Sequence, residues 1–295
     1  FVIGNGPSLN KQNLFQLEEE FTIGANYIYM NYDKMGFYPT ILAFANYLVI
    51  QQRLDEILAL EEPVKLLPFY LFNEFGAPKN TLLPNMQHQT PQFSTDATNY
   101  VSTQSTITYV NLQLAYYLGF DKVFLIGVDN RYKQPDRGVE GTVLTQEEDD
   151  PNHFTPNYFK GLKWQKGDEV RIEYLYSLAK HHFEERGSKI VDCTHDGALT
   201  IYEKDNLDTV LRASPPPPPE KIDRAKKIMR AVTENPESLD PKRVMITVSP
   251  DLFDRFGHHF NMDQYLRREA HSRGEGFVSI CSDQLEQELP MSATG

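Results

Sequence analysis

Four polar residues stand where apolar runs break off, and their side chains are of the kind that read a nucleotide or a sugar. Asn5 follows the apolar start of "FVIGNGPSLNKQNL", Asn26 follows residues 21–24, Asn46 follows residues 40–45, and Asp129 closes "LIGVD". Asparagine carries both a donor and an acceptor, so it can read a base edge or a ribose hydroxyl without bringing charge near phosphate. Each of these residues also suits a turn, but three asparagines at successive strand ends are harder to assign to turns alone. In the opening stretch Gly4 and Gly6 bracket Asn5, Pro7 follows, and Ser8 stands where a helix N-cap would stand. A strand that runs straight into a helix N-terminus presents unpaired N–H groups and the positive end of the helix dipole, a seat for phosphate. The same spacing also serves as a plain tight connection, and both readings stay open.

The elements that must position these residues are written in the hydrophobic pattern. Apolar, β-branched runs predict strands at 1–3, 21–24, 40–45, 64–68, 122–127 and 189–193. "KVFLIG" is continuous and apolar, as the middle of a parallel sheet requires. Helical spacing predicts helices over 106–118, stopped by Gly119, and over 168–186, closed by Gly187. Strand–helix alternation of this kind gives the fold class: an α/β protein with an open, mostly parallel sheet, right-handed crossovers and helices on both faces, Rossmann-like. Ligands of such sheets bind at the carboxyl ends of strands.

Five prolines from Pro215 favour a stiff, extended spacer, so the chain divides into a nucleotide-binding domain at 1–212, a proline-rich linker at 213–220 and a partial second α/β domain at 221–295. In that last part, helices are expected at 220–233 and 263–273 and strands at 243–248 and 276–281. The prolines as an SH3-type ligand are the alternative.

Composition bounds the function. The chain has 295 residues, 40% of them hydrophobic and 12% aromatic, enough for a packed core. A net charge of −12 argues against a general nucleic-acid surface or a polybasic membrane patch. Cys193 and Cys281 are too few for a disulfide framework or a zinc site and read as buried, reduced thiols of a cytoplasmic protein. The chain begins inside a strand and without methionine, which reads as a piece of a longer protein. Membrane association is then expected only peripherally, through flanking sequence.

"VIGNGPSL", "GANYIYM", "TYVNLQLAYYLGFDKVFLIGVDNRY" and "HFTPNYF" followed by "GLKW" together resemble the bacterial domain family named after 6-hydroxymethylpterin diphosphokinase, over residues 1–205. That family is similar to the bacterial CMP-sialic acid sialyltransferases and to the motility-accessory flagellin glycosyltransferases. The resemblance implies transfer of a sialic-acid-type sugar from a CMP donor to a surface glycan or protein acceptor, with no metal required. It also implies a contact of Asn5 with the nucleotide phosphate and contacts of Asn26, Asn46 and Thr106 or Thr108 with the nucleotide. Tyr132 would then donate to the departing phosphate, with Tyr158 in the place of a second tyrosine, and His153 would be the general base. The chemistry is coherent, because imidazole takes a proton near neutral pH and a phenol stabilises developing charge.

Two other readings remain. An ATP-dependent diphosphokinase acting on a pterin alcohol needs Mg²⁺ across the phosphates and a basic clamp, and Lys11 is the only lysine beside the opening turn. A nucleotide-sugar-binding module without catalysis would keep the asparagines and lose the base. "EEDD" at 147–150 reads as a magnesium ligand set or as a solvated loop. Trp164 reads as a wall of the acceptor site or as core, and the histidines at 88, 181, 182, 195, 258 and 259 as surface or satisfied core residues.

Overall fold

The computed structural model describes residues 1–75, 78–88, 92–133 and 139–213, and two further strands at 244–248 and 276–280. In chain order the strands are β1 (Val2–Ile3), β2 (Ile23–Ala25), β3 (Ile41–Ala43), β4 (Val64–Leu66), β5 (Thr81–Leu82), β6 (Met86–Gln87), β7 (Val101–Ser102), β8 (Lys122–Ile126), β9 (Val143–Thr145), β10 (Lys163–Gln165), β11 (Lys189–Asp192), β12 (Glu203–Lys204), β13 (Val244–Val248) and β14 (Gly276–Ile280). The α-helices are α1 (Tyr32–Met35), α2 (Tyr47–Gln52), α3 (Leu54–Ala59), α4 (Phe72–Phe75), α5 (Ile107–Tyr117), α6 (Glu169–Glu185) and α7 (Leu207–Ala213).

Eight strands form one sheet in the order β12-β11-β8-β1-β2-β3-β4-β5, and every neighbouring pair is parallel. The chain lays strands outward from β1 to β5 and then returns to place β8 on the other side of β1. Order therefore reverses between β1 and β8, the point at which an open α/β sheet leaves a crevice at its carboxyl edge.

Alternating side chains send the sheet into two cores. Val123 and Leu125 of β8 join the cluster under α5 and α6, while Ile126 joins the opposite cluster with Ile3, Leu42 and Val191. On the first face α5 and α6 bury Tyr109, Leu112, Leu175, Ala179 and Phe183 completely. Both long helices begin on side-chain caps: Thr106 Oγ1 accepts from Thr108 N at 3.3 Å, and Asp168 Oδ1 accepts from Arg171 N at 3.1 Å. Gly119 and Gly187 follow them at φ +82° and +72°, the left-handed turn that stops a helix.

The strands are shorter than the apolar runs predict. β3 keeps three residues of 40–45, and β4 three of 64–68. The opening turn leads not into an α-helix but into a five-residue 3-10 helix, Pro7–Lys11, whose N-cap position is Gly6. Ser8 therefore lies inside the turn and does not cap it. The strands β5, β6, β7 and β12 and the antiparallel β9–β10 hairpin went unpredicted, because two or three residues hold too little pattern to read. Helix α7 reaches Ala213, one residue past the expected boundary. The proline run and the helices expected at 220–233 and 263–273 lie outside the described residues. β13 and β14 fall where strands are expected and pair in parallel, Val244 opposite Gly276. Among the described residues no helix is long and apolar enough to cross a membrane.

Candidate functional site

The glycine turn is built for close approach between two strand ends. Gly4 N donates to Ile126 O and Gly6 N to Gly127 O, each at 2.8 Å. A Cβ on Gly4 would lie 2.3 Å from Gly127 O, and one on Gly6 would lie 1.8 Å from Asp129 Oδ2. Asp129 then accepts from Ser8 twice, from the backbone N at 3.1 Å and from the hydroxyl at 2.6 Å. This corrects the expectation of a phosphate seat at Ser8. The chain's own carboxylate occupies the electropositive start of the turn, and Gly6 N is spent on Gly127 O, just past β8.

Two adjoining hollows open at the carboxyl edge beside this clamp. The smaller, about 130 Å³, lies over the β1–β8 switch point and is bordered by Gly4, Asn5, Gly6, Thr108, Asp129 and Arg131 among others. The larger, about 760 Å³, extends over β2 and β3 under the β9–β10 hairpin and is bordered by Asn46, Tyr47, Tyr70, Trp164, Lys166 and Arg171 among others. Asn26, Thr106, Ile107, Tyr132, Asn152 and His153 border both, so the hollows meet at these six residues. Ten of the twelve residues singled out from the sequence border one hollow or the other; Ser8 and Tyr158 border neither.

His153 sits at that seam. Its Nδ1 is 2.7 Å from Asp150 Oδ2, and Asp150 is 6% exposed. Asp150 Oδ1 in turn accepts from Asn152 N at 2.9 Å. A carboxylate beside Nδ1 holds the ring proton there and leaves Nε2 as the proton acceptor. The ring stacks on Tyr158 with centroids 3.9 Å apart and planes parallel, and Phe159 meets it edge-on at 5.2 Å. Two bonds pin this segment to the opening turn: Phe154 N donates to Asn5 O at 2.9 Å, and Asn10 Nδ2 donates to Phe154 O at 2.7 Å.

Tyr158 has a different place from the one the resemblance implies. It is fully buried, its hydroxyl accepts from Tyr27 N at 3.2 Å, and burial raises its phenol far above the usual range. It is the floor beneath His153, not a donor in the hollow. Tyr132 is 39% exposed and borders both hollows. Asn46 caps α2 through Oδ1, with Leu48 N at 2.9 Å, and donates to Gln165 Oε1 of β10 at 2.6 Å. Its side chain thus ties the hairpin to the sheet. Gln52 adds a second tie, exchanging bonds with Lys163 O and Lys163 N.

The four carboxylates of "EEDD" part company. Asp149 pairs with Lys160 at 2.7 Å, Asp150 turns inward to His153, and Glu147 and Glu148 are exposed. Among the described residues no three His, Cys, Asp or Glu side chains gather as a metal group would require. Burial pushes the Cys193 thiol up to about 12, which makes it an inert core residue. His181, His182 and His195 sit beside surface carboxylates, whereas His88 borders the large hollow, contrary to its reading as surface or core alone. Trp164 borders that hollow too. Sequence reasoning took Asp150 as part of a magnesium ligand set or a solvated loop and missed its pairing with His153, for which the three-residue spacing in "DPNH" was the available signal; it also missed Asn130, Asn152 and the tyrosines at 47 and 70.

The fold and the position of the hollows define an open α/β protein with two adjoining hollows at the carboxyl edge of its switch point. No family model and no curated protein matches the chain. Among solved structures it is similar to the MAf glycosyltransferase from Magnetospirillum magneticum AMB-1, at 14% identity and a TM-score of 0.44. That likeness covers 78% of this chain and 37% of the other, and it concerns the fold alone.

Proposed function

We propose that this chain is a glycosyltransferase, moving a sugar from a nucleotide-activated donor to a hydroxyl of a glycan or protein acceptor. The CMP linkage and the sialic-acid type of the sugar come from the sequence resemblance. The observation that carries the reading is the Asp150–His153 pair at the seam of the two hollows, at the carboxyl edge of a doubly wound sheet. A base is useful only where two reactants meet, and the seam is the one stretch of surface that borders both chambers.

In this scheme the acceptor lies in the large hollow, against the aromatic faces of Tyr47, Tyr70 and Trp164, and the donor reaches the seam from the switch point. Nε2 of His153 takes the proton of the acceptor hydroxyl as its oxygen bonds to the anomeric carbon. The bond from that carbon to the phosphate oxygen breaks, and its electron pair leaves with the phosphate. Tyr132 donates a hydrogen bond to that oxygen as charge builds on it. Arg131, which makes no ion pair among the described residues, stands beside it on the rim of the small hollow. Asp150 keeps the imidazole in the tautomer that can accept.

A thermal-shift panel of CMP, UMP, GDP, ADP and ATP, with and without Mg²⁺, tests the donor class, since a ligand selective for the folded state raises the melting temperature. Stabilisation by CMP without metal supports the reading. Stabilisation by ATP with Mg²⁺ alone assigns the diphosphokinase reaction instead, and no response to any nucleotide leaves a scaffold. With a donor in hand, His153→Ala is expected to lower turnover about 10²- to 10⁴-fold with donor affinity unchanged.

A further inference from the structure

We propose that Gln52 is a positioning residue for the acceptor chamber: its side-chain amide holds the β9–β10 ribbon, and with it Trp164, in place over the large hollow. The inference deepens the glycosyl-transfer reading, because it names what fixes one wall of that reading's acceptor site.

The ribbon has little apolar anchorage of its own. Of its six strand residues Leu144 alone is buried and Trp164 is half-buried, while Val143, Thr145, Lys163 and Gln165 are exposed. Burial of apolar area is the force that normally seats an element, so polar ties must decide where this one lies. The register shows which groups are free to make them. Trp164 stands opposite Leu144 and Lys163 opposite Thr145, with cross-strand bonds from Gln146 N to Leu162 O at 2.9 Å and from Lys166 N to Thr142 O at 3.0 Å. In an antiparallel pair the N–H and C=O of one residue point to the same side, so both backbone groups of Lys163 face away from β9, on the ribbon's outer edge. Gln52 takes both: Oε1 accepts from Lys163 N at 2.6 Å, and Nε2 donates to Lys163 O at 2.8 Å. One side-chain amide thus does for this edge what a neighbouring strand does elsewhere.

The consequence falls on Trp164. It lies between two tied residues, because Gln165 Oε1 accepts from Asn46 Nδ2 at 2.6 Å, and both ties come from α2 or its N-cap. Trp164 borders the large hollow together with Tyr47 and Tyr70, whereas Gln52 and Lys163 are not among the described residues that border either hollow. Gln52 therefore acts through the tryptophan. The base has its own pins: the loop that joins β9 to β10 carries His153, and the adjoining Phe154 is bonded to Asn5 and Asn10. Loss of the Gln52 tie releases the acceptor wall and leaves the base where it is.

Trp164 is the only tryptophan in the chain, so its emission reads the wall directly. The test compares the wild type with three variants. Gln52→Met removes both bonds, and Lys163→Pro removes the N–H from the ribbon side, at an edge position that proline tolerates. Gln51→Met is the control, on the same helix, with an amide that bonds Glu74 instead. A lost neutral hydrogen bond shifts a local opening equilibrium about fivefold, so acrylamide should quench Trp164 at least about twofold more steeply in Gln52→Met and Lys163→Pro, at unchanged far-UV circular dichroism. Gln51→Met should quench as the wild type does. A second arm uses the donor found in the nucleotide panel, with lactose and a serine-rich peptide as acceptors, and measures transfer against hydrolysis. In hydrolysis a water oxygen bonds to the anomeric carbon, the phosphate leaves as before and His153 takes the water proton, so no acceptor wall is needed. Gln52→Met should lower transfer relative to hydrolysis about tenfold, as misplacing a bound reactant does, with donor affinity unchanged. Equal quenching in the wild type and Gln52→Met, or an unchanged ratio of transfer to hydrolysis, overturns the inference and leaves the glycosyl-transfer reading standing. If Gln52→Met does not fold, Lys163→Pro decides in its place. Absence of binding by every nucleotide refutes the glycosyl-transfer reading; in that case, or where neither acceptor is glycosylated, the quenching comparison alone upholds or overturns the role of Gln52.

Discussion

Replacing Asp150 by asparagine changes one oxygen to a nitrogen, and the structure dictates which one. Asp150 Oδ1 accepts from Asn152 N at 2.9 Å, and Oδ2 faces His153 Nδ1 at 2.7 Å. In Asp150→Asn the amide must keep its oxygen toward Asn152 N, or set two donors against each other. The NH₂ then faces Nδ1 and donates to it. The imidazole proton moves to Nε2, and the nitrogen proposed as the base can no longer take a proton. A positioned base is worth about 10²- to 10⁴-fold, and inverting the tautomer removes most of it while the ring stays stacked on Tyr158. Turnover should fall about 10³-fold with the donor dissociation constant within about a factor of two. Two measurements check this: steady-state transfer with the donor found in the nucleotide panel, and ¹⁵N-edited NMR of the imidazole, which reads the proton on Nδ1 in the wild type and on Nε2 in the variant. An inverted tautomer with transfer within about threefold of wild type would falsify the assignment of His153 as base. Loss of folding in the variant is excluded by requiring the same NMR dispersion elsewhere.

Three further outcomes are expected. Tyr132→Phe should slow transfer about 10- to 100-fold at unchanged donor affinity, since its hydroxyl acts as charge builds on the leaving oxygen; a change in affinity alone would make it a binding residue. Gly6→Ala should cost on the order of 3 kcal/mol in urea unfolding, because its Cβ would lie 1.8 Å from Asp129 Oδ2 and must break the bonds to Ser8; a loss below about 0.5 kcal/mol would show that the turns separate easily. Lys65, 1% exposed, has its ammonium against Leu60 O, and burial lowers its pKa from 10.5 to about 8. Between those values the unfolded chain holds a proton that the folded one has released, so folding gains stability as pH rises from about 8, and the penalty is full below it. Lys65→Met should therefore stabilise by on the order of 2–3 kcal/mol at pH 7, with the gap to wild type shrinking between pH 8 and 9.5; parallel stability curves would refute this.

Local physics wrote much of this protein into its sequence. The apolar run of β8, the helical spacing of α5 and α6, their caps at Thr106 and Asp168, and the glycines that stop them all depend on residues a few positions apart, and they lie where the sequence places them. The asparagines at strand ends were legible for the same reason, since a strand's end is a local event and the carboxyl edge of such a sheet is its binding edge. What each polar atom does there was decided elsewhere. Ser8 meets Asp129 across 121 residues because β1 pairs with β8, and that contact turns a phosphate seat into an internal clamp. Asn46 is drawn into a cap and a tie to β10, and Tyr158 into the floor under His153, by packing that no spacing announces. Even the Asp150–His153 pair, only three residues apart, reaches the switch point because Phe154 N bonds to Asn5 O across 149 residues of chain. Residue types and short spacings establish which groups are on offer; sheet order and packing decide which of them are already spent on one another and which are left for a ligand.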